Sequence, residues 1–342
     1  MFNPGNIGEL KLQNRFIRSA TAEFIANDED GTITEEYYPL YSNLGLGEIG
    51  LIIQGHLYVM DEGKAHTHMA GIANDMQIDG LKKITKLVHE ADKRNLIAAQ
   101  LNHGGANSVS TKTASAREDK GVKVMSGEDI ENVIKGFGAA ALRVKKAGYD
   151  AVQIHSAHGY LLSQFLSTKT NKRTDSWGGS LENRARFLLT VYHAIRAAVG
   201  PNYPVLVKMN GSDDPLEGFT VEEGAKVASW LANEGLDAIE VSGMKSTRPV
   251  KKANEGYFVA TGRRISHHIG DMPLILVGGL RSQTQIQELH DEFADFISLC
   301  RPFIREPDLV QKFRSGKKRA DCISCNRCFK ERIVTKCFEL ED

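Results

Sequence analysis

The sequence lacks a surplus of charge of either sign. Its 342 residues hold 43 Lys and Arg against 43 Asp and Glu. A balanced chain offers no basic surface for nucleic acid or an anionic membrane. The sequence also lacks any apolar run near the roughly 18 residues that span a bilayer. Its start, MFNPGNIGELKLQNRF, contains no apolar signal core. We therefore expect a cytoplasmic protein without nucleic acid or membrane partners.

Cysteine is scarce, and its distribution argues against a secreted disulfide scaffold. Four of the five cysteines fall within CISCNRCFKERIVTKC, residues 322–337. Thiols crowded in this way are typical of metal binding in a reducing compartment. The C-x2-C-x2-C-x8-C pattern fits a [4Fe–4S] cluster or a tetrahedral zinc ion, and spacing alone does not separate the two. The predicted metal ligands are Cys322, Cys325, Cys328 and Cys337. Cys300 stands apart, which favours a core or cofactor-facing position.

Eight short β-rich runs alternate with longer helical patterns. The runs lie at residues 15–20, 50–55, 96–101, 149–155, 204–210, 237–243, 273–279 and 294–300. Several are apolar on both faces, as parallel strands covered by helices should be. In the helical stretch 180–200, Ser180 is a predicted N-cap and a glycine ends the pattern. Eight such units predict an α/β protein with a (β/α)8 TIM barrel rather than an open sheet.

The eighth unit ends near residue 313, which divides the chain into two predicted parts. We expect residues 1–313 to form the barrel and residues 314–342 a short cysteine-rich tail. Long loops at 102–127, 156–180 and 244–262 each follow a predicted strand. They should therefore lie at the C-terminal face of the barrel, where active sites of this fold are built.

Three proton-exchanging side chains follow the fourth predicted strand, in QIHSAHGYL. Two imidazoles in one turn, His155 and His158, can converge and donate N–H bonds to a single carbonyl or nitro oxygen. The phenol of Tyr160 can supply a proton. A structural cluster of satisfied side chains is the alternative; zinc is a poorer one, because no carboxylate or third histidine lies nearby. We predict that all three residues are catalytic.

Glycines and an arginine follow the last two predicted strands. Gly278 and Gly279 lie in VGGL, and Arg301 lies in CRPF. Loops at these two positions are a recurrent phosphate site in this fold. Glycine lets backbone N–H groups approach an anion, and arginine adds a charge-assisted bond. A tight turn and a surface ion pair are the alternative interpretation, and a phosphate site would fit many barrel enzymes.

Two more polar residues end predicted strands. Lys208 ends the fifth strand, where it could be a Schiff-base nucleophile or stabilise negative charge on a cofactor. Gln100 ends the third and offers both a donor and an acceptor to an amide-like edge. The residues alone leave these roles open.

These segments together resemble the old yellow enzyme family of FMN-dependent ene-reductases. The most specific is AGYDAVQIHSAHGYLLSQFLSTKTNKRTDSWGGSLENRARFLLTVYHAIRAAV, which is similar to the central signature of the family. NRFIRSATAEF, GLIIQGH, AAQLNHGG, VGGLRS and CRPFIREPDL match other family blocks in the same order. The likeness covers roughly residues 1–313.

The resemblance implies FMN as the cofactor and NAD(P)H as the hydride donor. It implies that His155 and His158 hold the substrate's oxygen, that Tyr160 is the proton donor, and that Phe24 flanks the substrate. The implied FMN-binding residues are Ser19, Ala20, Thr21, Ala22, Gly55, His56, Gln100, Lys208, Gly278, Gly279, Cys300 and Arg301. Lys208 stands where the family commonly has arginine, so a cation is kept but the bidentate fork is lost. Ala106 or a neighbour replaces an arginine that often follows this block, which concerns substrate recognition.

The cysteine tail is similar to that of the 2,4-dienoyl-CoA reductase and trimethylamine dehydrogenase branch. Barrels of that branch end in a cysteine-bound [4Fe–4S] cluster and continue into nucleotide-binding domains, so the resemblance implies a barrel-only form with a cluster. The last cysteine gap is shorter than in dienoyl-CoA reductases and close to that of the zinc lobe of alcohol dehydrogenases. Zinc is therefore the alternative metal.

We predict an FMN-dependent NAD(P)H oxidoreductase that reduces the C=C bond of an α,β-unsaturated carbonyl, with enoyl or dienoyl thioesters among the candidates. The alternatives are a flavin amine dehydrogenase-like enzyme, a Schiff-base aldolase that uses Lys208, and an electron-transfer subunit without turnover. A redox partner protein and a homo-oligomer are further expectations.

Overall fold

Eight parallel strands close into a barrel in the computed structural model, which describes residues 1–108, 112–115, 121–213, 218–244, 255–329 and 334–340. The strands are β1 (Gly5–Ile7), β2 (Leu10–Leu12), β3 (Phe16–Arg18), β4 (Leu51–Tyr58), β5 (Ile97–Asn102), β6 (Lys112–Thr113), β7 (Lys123–Val124), β8 (Ala151–Ser156), β9 (Val205–Asn210), β10 (Ala238–Ser242), β11 (Leu274–Leu276) and β12 (Phe296–Leu299). The barrel order is β10-β11-β12-β3-β4-β5-β8-β9. The predicted (β/α)8 TIM barrel is confirmed.

Helices follow the barrel strands. They are α1 (Tyr37–Gly45), α2 (Ile78–Ala91), α3 (Gly127–Lys146), α4 (Leu161–Leu166), α5 (Leu181–Val199), α6 (Val221–Asn233), α7 (Val259–Ser266), α8 (Gln283–Glu292), α9 (Arg301–Arg305) and α10 (Leu309–Arg314). Ser180 caps α5 by accepting a bond from the Asn183 N–H, and Gly200 ends that helix at φ 89°. The predicted cap and stop are thus confirmed. No helix within the described residues combines the length and apolar character needed to cross a membrane.

The eight predicted runs each contain one barrel strand, with differences at the ends. Strand β4 continues beyond the predicted run, and its pairing register with β5 shifts between Gln54 and Leu57. Strand β11 is shorter than predicted. It stops before Gly278 and Gly279, whose φ angles of 137° and 73° lie outside the strand region.

A short antiparallel hairpin closes the N-terminal end of the barrel and was not predicted. Strands β1 and β2 pair around Gly8, which has φ 52°. The side chains of Ile7, Leu10 and Leu12 join the apolar cluster inside the barrel. The hairpin therefore seals the bottom of the barrel and leaves the opposite end for ligands.

Side chains that point into the barrel change character from bottom to top. The lowest inward positions are apolar and include Ile17, Ala98, Ala151, Leu206, Ala238, Ile275 and Phe296. Because side chains on a strand alternate between faces, the residues two positions further along also point inward. Those residues are Ser19, Gln100, Gln153, Lys208, Glu240, Val277 and Ser298. Six of these seven are polar, so the strands deliver hydrogen-bonding groups to the C-terminal mouth.

The described part of the cysteine-rich tail packs against the barrel. A β-bridge joins Ser282 to Arg319, and the Cys322 carbonyl accepts a bond from Arg281 at 3.0 Å. The Thr335 N–H donates to the Glu23 carbonyl at 3.0 Å. A division of the chain at residues 313 and 314 stays a prediction, and it would fall within α10.

Candidate active site

A cavity of about 690 Å³ opens at the C-terminal face of the barrel. Its volume is within the range typical of small-molecule and cofactor sites. Twelve residues predicted for catalysis, cofactor or substrate line it: Ser19, Ala20, Thr21, Ala22, Phe24, His56, Gln100, His155, His158, Tyr160, Lys208 and Cys300. The fold thus brings together residues that are up to 281 positions apart, from Ser19 to Cys300.

The hydrogen bonds of His155 determine which of its nitrogens faces the cavity. Its Nδ1 atom accepts a bond from the Ala157 N–H at 3.3 Å. A neutral imidazole has one N–H, so the proton lies on Nε2. His155 ends β8 and lines the cavity. It therefore offers a donor to a ligand atom there.

A sharp turn brings His158 back beside His155. His158 and Gly159 have φ angles of 61° and 78°, and the Asn210 Oδ1 atom accepts a bond from the His158 N–H at 3.0 Å. A left-handed conformation is costly for a non-glycine residue and is typical of functional sites. The two imidazole rings meet edge to face, with centroids 4.9 Å apart. The Nε2 atom of His158 bonds the Ser242 hydroxyl at 2.8 Å, so Nδ1 is the atom left for a ligand.

Tyr160 lies beside the two histidines and next to His56. Its ring centroid is 5.1 Å from that of His155 and 5.2 Å from that of His56. Its phenol therefore shares the cavity with the imidazole donors. Tyr160 and both histidines line this cavity.

The buried histidines of the cavity are neutral at pH 7. Burial lowers the pKa of His155 well below its usual value, and the neighbouring His158 and Lys208 lower it further. Burial and then Lys208 lower the pKa of His158 in the same way. Burial, His66 and His155 lower the pKa of His56. These imidazoles therefore act as uncharged hydrogen-bonding groups.

His66 belongs to the site although the sequence analysis did not single it out. Its ring lies 4.5 Å from the ring of Phe24, and its Nε2 atom is 3.0 Å from the Nε2 atom of His56. Phe24 itself has φ 59°, a second left-handed residue in the cavity wall. His66 lies in the segment after β4, which carried no strand or motif signal.

A buried ion pair forms the floor of the cavity. Lys208 donates to the Glu240 carboxylate at 3.0 Å and to the Ser19 hydroxyl at 2.7 Å. Gln153 donates to the other carboxylate oxygen at 2.9 Å and accepts from Gln100 at 2.7 Å. These five residues thus form one continuous network beneath the cavity.

Glu240 and Gln153 were missed by the sequence analysis, although a signal existed. Each is a polar residue in a strand that is otherwise buried and apolar. Glu240 on β10 is also the register partner of Lys208 on β9. An inward-facing carboxylate beside an inward-facing lysine could have been predicted once the barrel register was drawn.

A second, smaller cavity adjoins the first and is lined by Gly279 and Arg301 of the predicted phosphate site. Gly279, Cys300 and Arg301 line it, and Cys300 lines both cavities. The buried hydroxyl of Ser298 also lines it and has no hydrogen-bond partner within the described residues. A guanidinium, an unpaired hydroxyl and the backbone at a glycine with φ 73° suit an anion such as a phosphate. The residues that line the two cavities therefore fit FMN.

Two predicted cofactor residues, Gly55 and Gly278, line neither cavity. A Cβ atom on Gly55 would meet the Glu23 carboxylate at 2.2 Å, and one on Gly278 would approach Phe258 to 3.1 Å. Glu23 is buried and accepts a bond from the Gly55 N–H at 3.1 Å. Both glycines allow close packing behind the cavity wall.

The four tail cysteines surround a third small cavity. Cys322, Cys325, Cys328 and Cys337 all line it, together with Arg301, which also lines the second cavity. All five cysteines of the chain are free thiols. Within the described residues, no group of three His, Cys, Asp or Glu side chains is already arranged around a point that would hold a metal ion. The four cysteines therefore line one space.

Comparison with known proteins covers most of the chain. A profile described as the NADH:flavin oxidoreductase / NADH oxidase family matches residues 1–320. An NADPH dehydrogenase from Bacillus cytotoxicus is 32% identical over 315 residues, covering 90% of this chain and 90% of the relative.

Two solved structures share the fold. Morphinone reductase has a TM-score of 0.78 and 26% identity, and the match covers 94% of this chain and 90% of that one. The complex of 2-naphthoyl-CoA reductase with 2-naphthoyl-CoA has a TM-score of 0.87 and 24% identity, covering 95% of this chain and 54% of that one. The present chain thus spans about half the length of that reductase.

Proposed function

Because this chain belongs to the NADH:flavin oxidoreductase / NADH oxidase family, we propose that it reduces the C=C bond of an α,β-unsaturated carbonyl compound. The resemblance to old yellow enzymes is confirmed, and the chain is an FMN-dependent NAD(P)H oxidoreductase. The substrate class and the role of each residue are the subject of the proposal.

One observation carries the proposal: two imidazoles and a phenol line one cavity above a polar floor. Negative charge develops on the carbonyl oxygen when hydride is added to the β-carbon. Donors that are already in place stabilise that charge without reorganisation. His155 offers Nε2–H, and His158 offers the nitrogen that Ser242 does not occupy.

Tyr160 is proposed to donate the proton that completes the reduction. After hydride addition the α-carbon is basic and needs a positioned acid. The Tyr160 ring lies 5.1 Å from the ring of His155, which holds the oxygen in this proposal. In this proposal the two histidines bind the oxyanion, and Tyr160 donates the proton.

FMN is proposed to lie with its ring on the network of Lys208, Gln100 and Ser19. Its phosphate would lie beside Ser298 and Arg301, which line the second cavity. When bound, FMN supplies hydride transfer between NAD(P)H and the substrate. The protein residues hold both ligands and exclude water from the space between them.

The Schiff-base alternative receives no support from the surroundings of Lys208. Its ammonium group is paired with the buried carboxylate of Glu240 at 3.0 Å and also donates to Ser19. A nucleophilic lysine needs a neutral amine, which desolvation or a nearby cation would favour and a buried anion opposes. Amine oxidation would use the same cavity, so the assay must include amines.

The first prediction concerns the two half-reactions. Anaerobic NADPH or NADH should bleach the flavin absorbance of the purified enzyme, and 2-cyclohexenone should restore it. Single-wavelength stopped-flow absorbance measures both steps. Trimethylamine, added to oxidised enzyme in a parallel run, should leave the flavin oxidised. Bleaching by the amine and no reoxidation by enones would contradict the proposed substrate class.

A thioester is one form of this substrate class that deserves a separate assay. The 2-naphthoyl-CoA reductase with the same fold acts, by its name, on a CoA thioester, but at 24% identity the likeness extends to the fold alone. A series of crotonyl-CoA, a dienoyl-CoA and simple enones, compared by kcat/KM, ranks the candidates.

We further propose that residues 314–342 form a separate tail and that the four cysteines of this tail bind a [4Fe–4S] cluster. A single zinc ion has Zn–S bonds of about 2.3 Å, which would draw all four thiols toward one point. A cluster spreads the four thiolates over four iron atoms. The C-x2-C-x2-C-x8-C pattern and the resemblance of the tail to that of the 2,4-dienoyl-CoA reductase branch favour the cluster, and the four cysteines line one cavity. A redox partner protein, a homo-oligomer and a cytoplasmic location stay predictions.

The second prediction concerns metal content. Anaerobically purified protein should contain about four iron and four sulfide per chain and little zinc, by elemental and sulfide analysis. Cys325→Ser should lose most of the iron. The matched control, Cys300→Ser, should keep it, because Cys300 lines the flavin and phosphate cavities and not the third cavity. One zinc and no iron would support the zinc alternative.

A further inference from the structure

We propose that Glu240 is a positioning residue that determines which hydrogen-bonding groups the cavity floor presents to FMN. The inference rests on the proposed placement of the FMN ring against Lys208 and Gln100. Glu240 does not line the cavity, so it would act through its neighbours.

Glu240 is the centre of the floor network. Its side chain is completely buried, and it accepts bonds from Lys208 at 3.0 Å and Ser19 at 2.8 Å on one oxygen. Its other oxygen accepts from Gln153 at 2.9 Å. An ionised carboxylate accepts hydrogen bonds and donates none. Each neighbour must therefore turn a donor toward it.

This requirement determines the orientation of the Gln153 amide and, through it, the orientation of the Gln100 amide. Gln153 must present its NH₂ group to Glu240, so its oxygen faces Gln100. That oxygen only accepts, so Gln100 must present its own NH₂ group, at 2.7 Å. The Gln100 oxygen is then the atom available to the cavity that this residue lines. Glu240 thus determines that Gln100 presents a hydrogen-bond acceptor to the cavity. Such an acceptor would suit an N–H group of the FMN ring.

Glu240 also acts on Lys208 at the other side of the floor. Two of the three donors of the ammonium group bond Glu240 and Ser19. The third is left for a ligand in the cavity. Lys208 and Glu240 together carry no net charge. A bound FMN ring would therefore meet the Lys208 ammonium group with its positive charge largely balanced by the Glu240 carboxylate. Reduced FMN, which carries more negative charge than oxidised FMN, gains less from a balanced pair than from a lone cation.

The test is Glu240→Gln in the holoenzyme, with two measurements. The Kd for FMN, measured by flavin fluorescence, should rise about 10- to 100-fold, because charge-assisted bonds are lost and the amides can turn. The ratio of the Kd for oxidised FMN to the Kd for reduced FMN, obtained from the midpoint potential, should rise about tenfold or more, because Lys208 becomes unpaired. A residue that only supports the fold would weaken both redox forms equally.

Two further variants separate the two effects. Lys208→Met/Glu240→Gln removes both charges and should not show the raised ratio. Gln153→Met breaks the chain of amides without changing charge, so FMN should bind about tenfold more weakly at an unchanged ratio. Gln153→Met also tests the proposal if Glu240→Gln does not fold. The control Gln54→Met replaces another fully buried glutamine, outside the floor network, and should leave FMN affinity within about threefold.

The outcomes distinguish this inference from the proposed function. Wild-type protein that binds no FMN would overturn the FMN placement itself. Wild-type protein that binds FMN, with Glu240→Gln unchanged in affinity or in ratio, would overturn the role of Glu240 and leave the ene-reductase proposal intact.

Discussion

Replacing His155 by alanine is expected to slow reoxidation of the reduced enzyme by 2-cyclohexenone about 10²- to 10³-fold. Loss of one preorganised donor to a developing oxyanion costs roughly 3–4 kcal/mol in comparable sites. Reduction of the flavin by NAD(P)H, which develops no such charge on a carbonyl oxygen, should fall less than tenfold. Stopped-flow absorbance of each half-reaction measures both effects.

A surface histidine provides the control for this variant. His193→Ala should leave both rates unchanged, because His193 is about half exposed and pairs with Glu234 on the outer helices. If His155→Ala slowed both half-reactions equally, the assigned role in oxyanion binding would be wrong.

The pH dependence of the same step follows from the lowered pKa of His155. Burial and neighbouring cation-forming groups disfavour the protonated imidazole, so its pKa falls below 6.5. The group is already neutral across pH 6 to 8 and keeps its single N–H. We therefore expect the enone half-reaction to show no histidine titration in this window. A transition near pH 6.5 that disappears in His155→Ala would contradict the neutral donor.

Replacing Tyr160 by phenylalanine is expected to have an effect of similar size on the same half-reaction. Loss of a positioned general acid typically costs 10²- to 10⁴-fold. The imidazole donors remain, so the Kd for an enone should change less than threefold while the rate of reoxidation falls. Reduction by NAD(P)H needs no proton from the phenol and should be nearly unchanged.

A change of substrate tests whether Tyr160 acts as an acid. Hydride addition to a nitroalkene gives an anion that the nitro group stabilises, so protonation at carbon is less demanding. Tyr160→Phe should therefore lose much less rate with a nitroalkene than with 2-cyclohexenone, by the same stopped-flow measurement. Equal losses with both substrates would indicate that Tyr160 shapes the cavity rather than supplying a proton.

Much of the barrel could be predicted from local pattern. Each of the eight strands is a short buried run, and α5 has a cap and a glycine stop that depend only on neighbours in sequence. The hairpin of β1 and β2 was missed because its burial depends on the open end of the barrel, which exists only after the strands close. The boundaries of β11 were missed for a similar reason, since Gly278 leaves the sheet to pack against Phe258.

The candidate site was predictable where residues of one segment act together. His155, His158 and Tyr160 share one turn, so their proximity follows from spacing and from a left-handed bend at His158. His66 could not be predicted in this way. Its contact with His56 depends on how the segment after β4 folds back over the cavity.

The sequence by itself determined the alternation of strands and helices, the turn that joins two imidazoles to a phenol, and the crowding of four thiols. All of these depend on residues a few positions apart, where backbone geometry leaves few choices. Only the tertiary structure decided that Lys208 is paired with Glu240, that Gln153 links Glu240 to Gln100, and that the thiols lie beside Arg301. Those contacts depend on barrel closure and strand register, which bring distant residues together and bury their charges where every donor needs an acceptor.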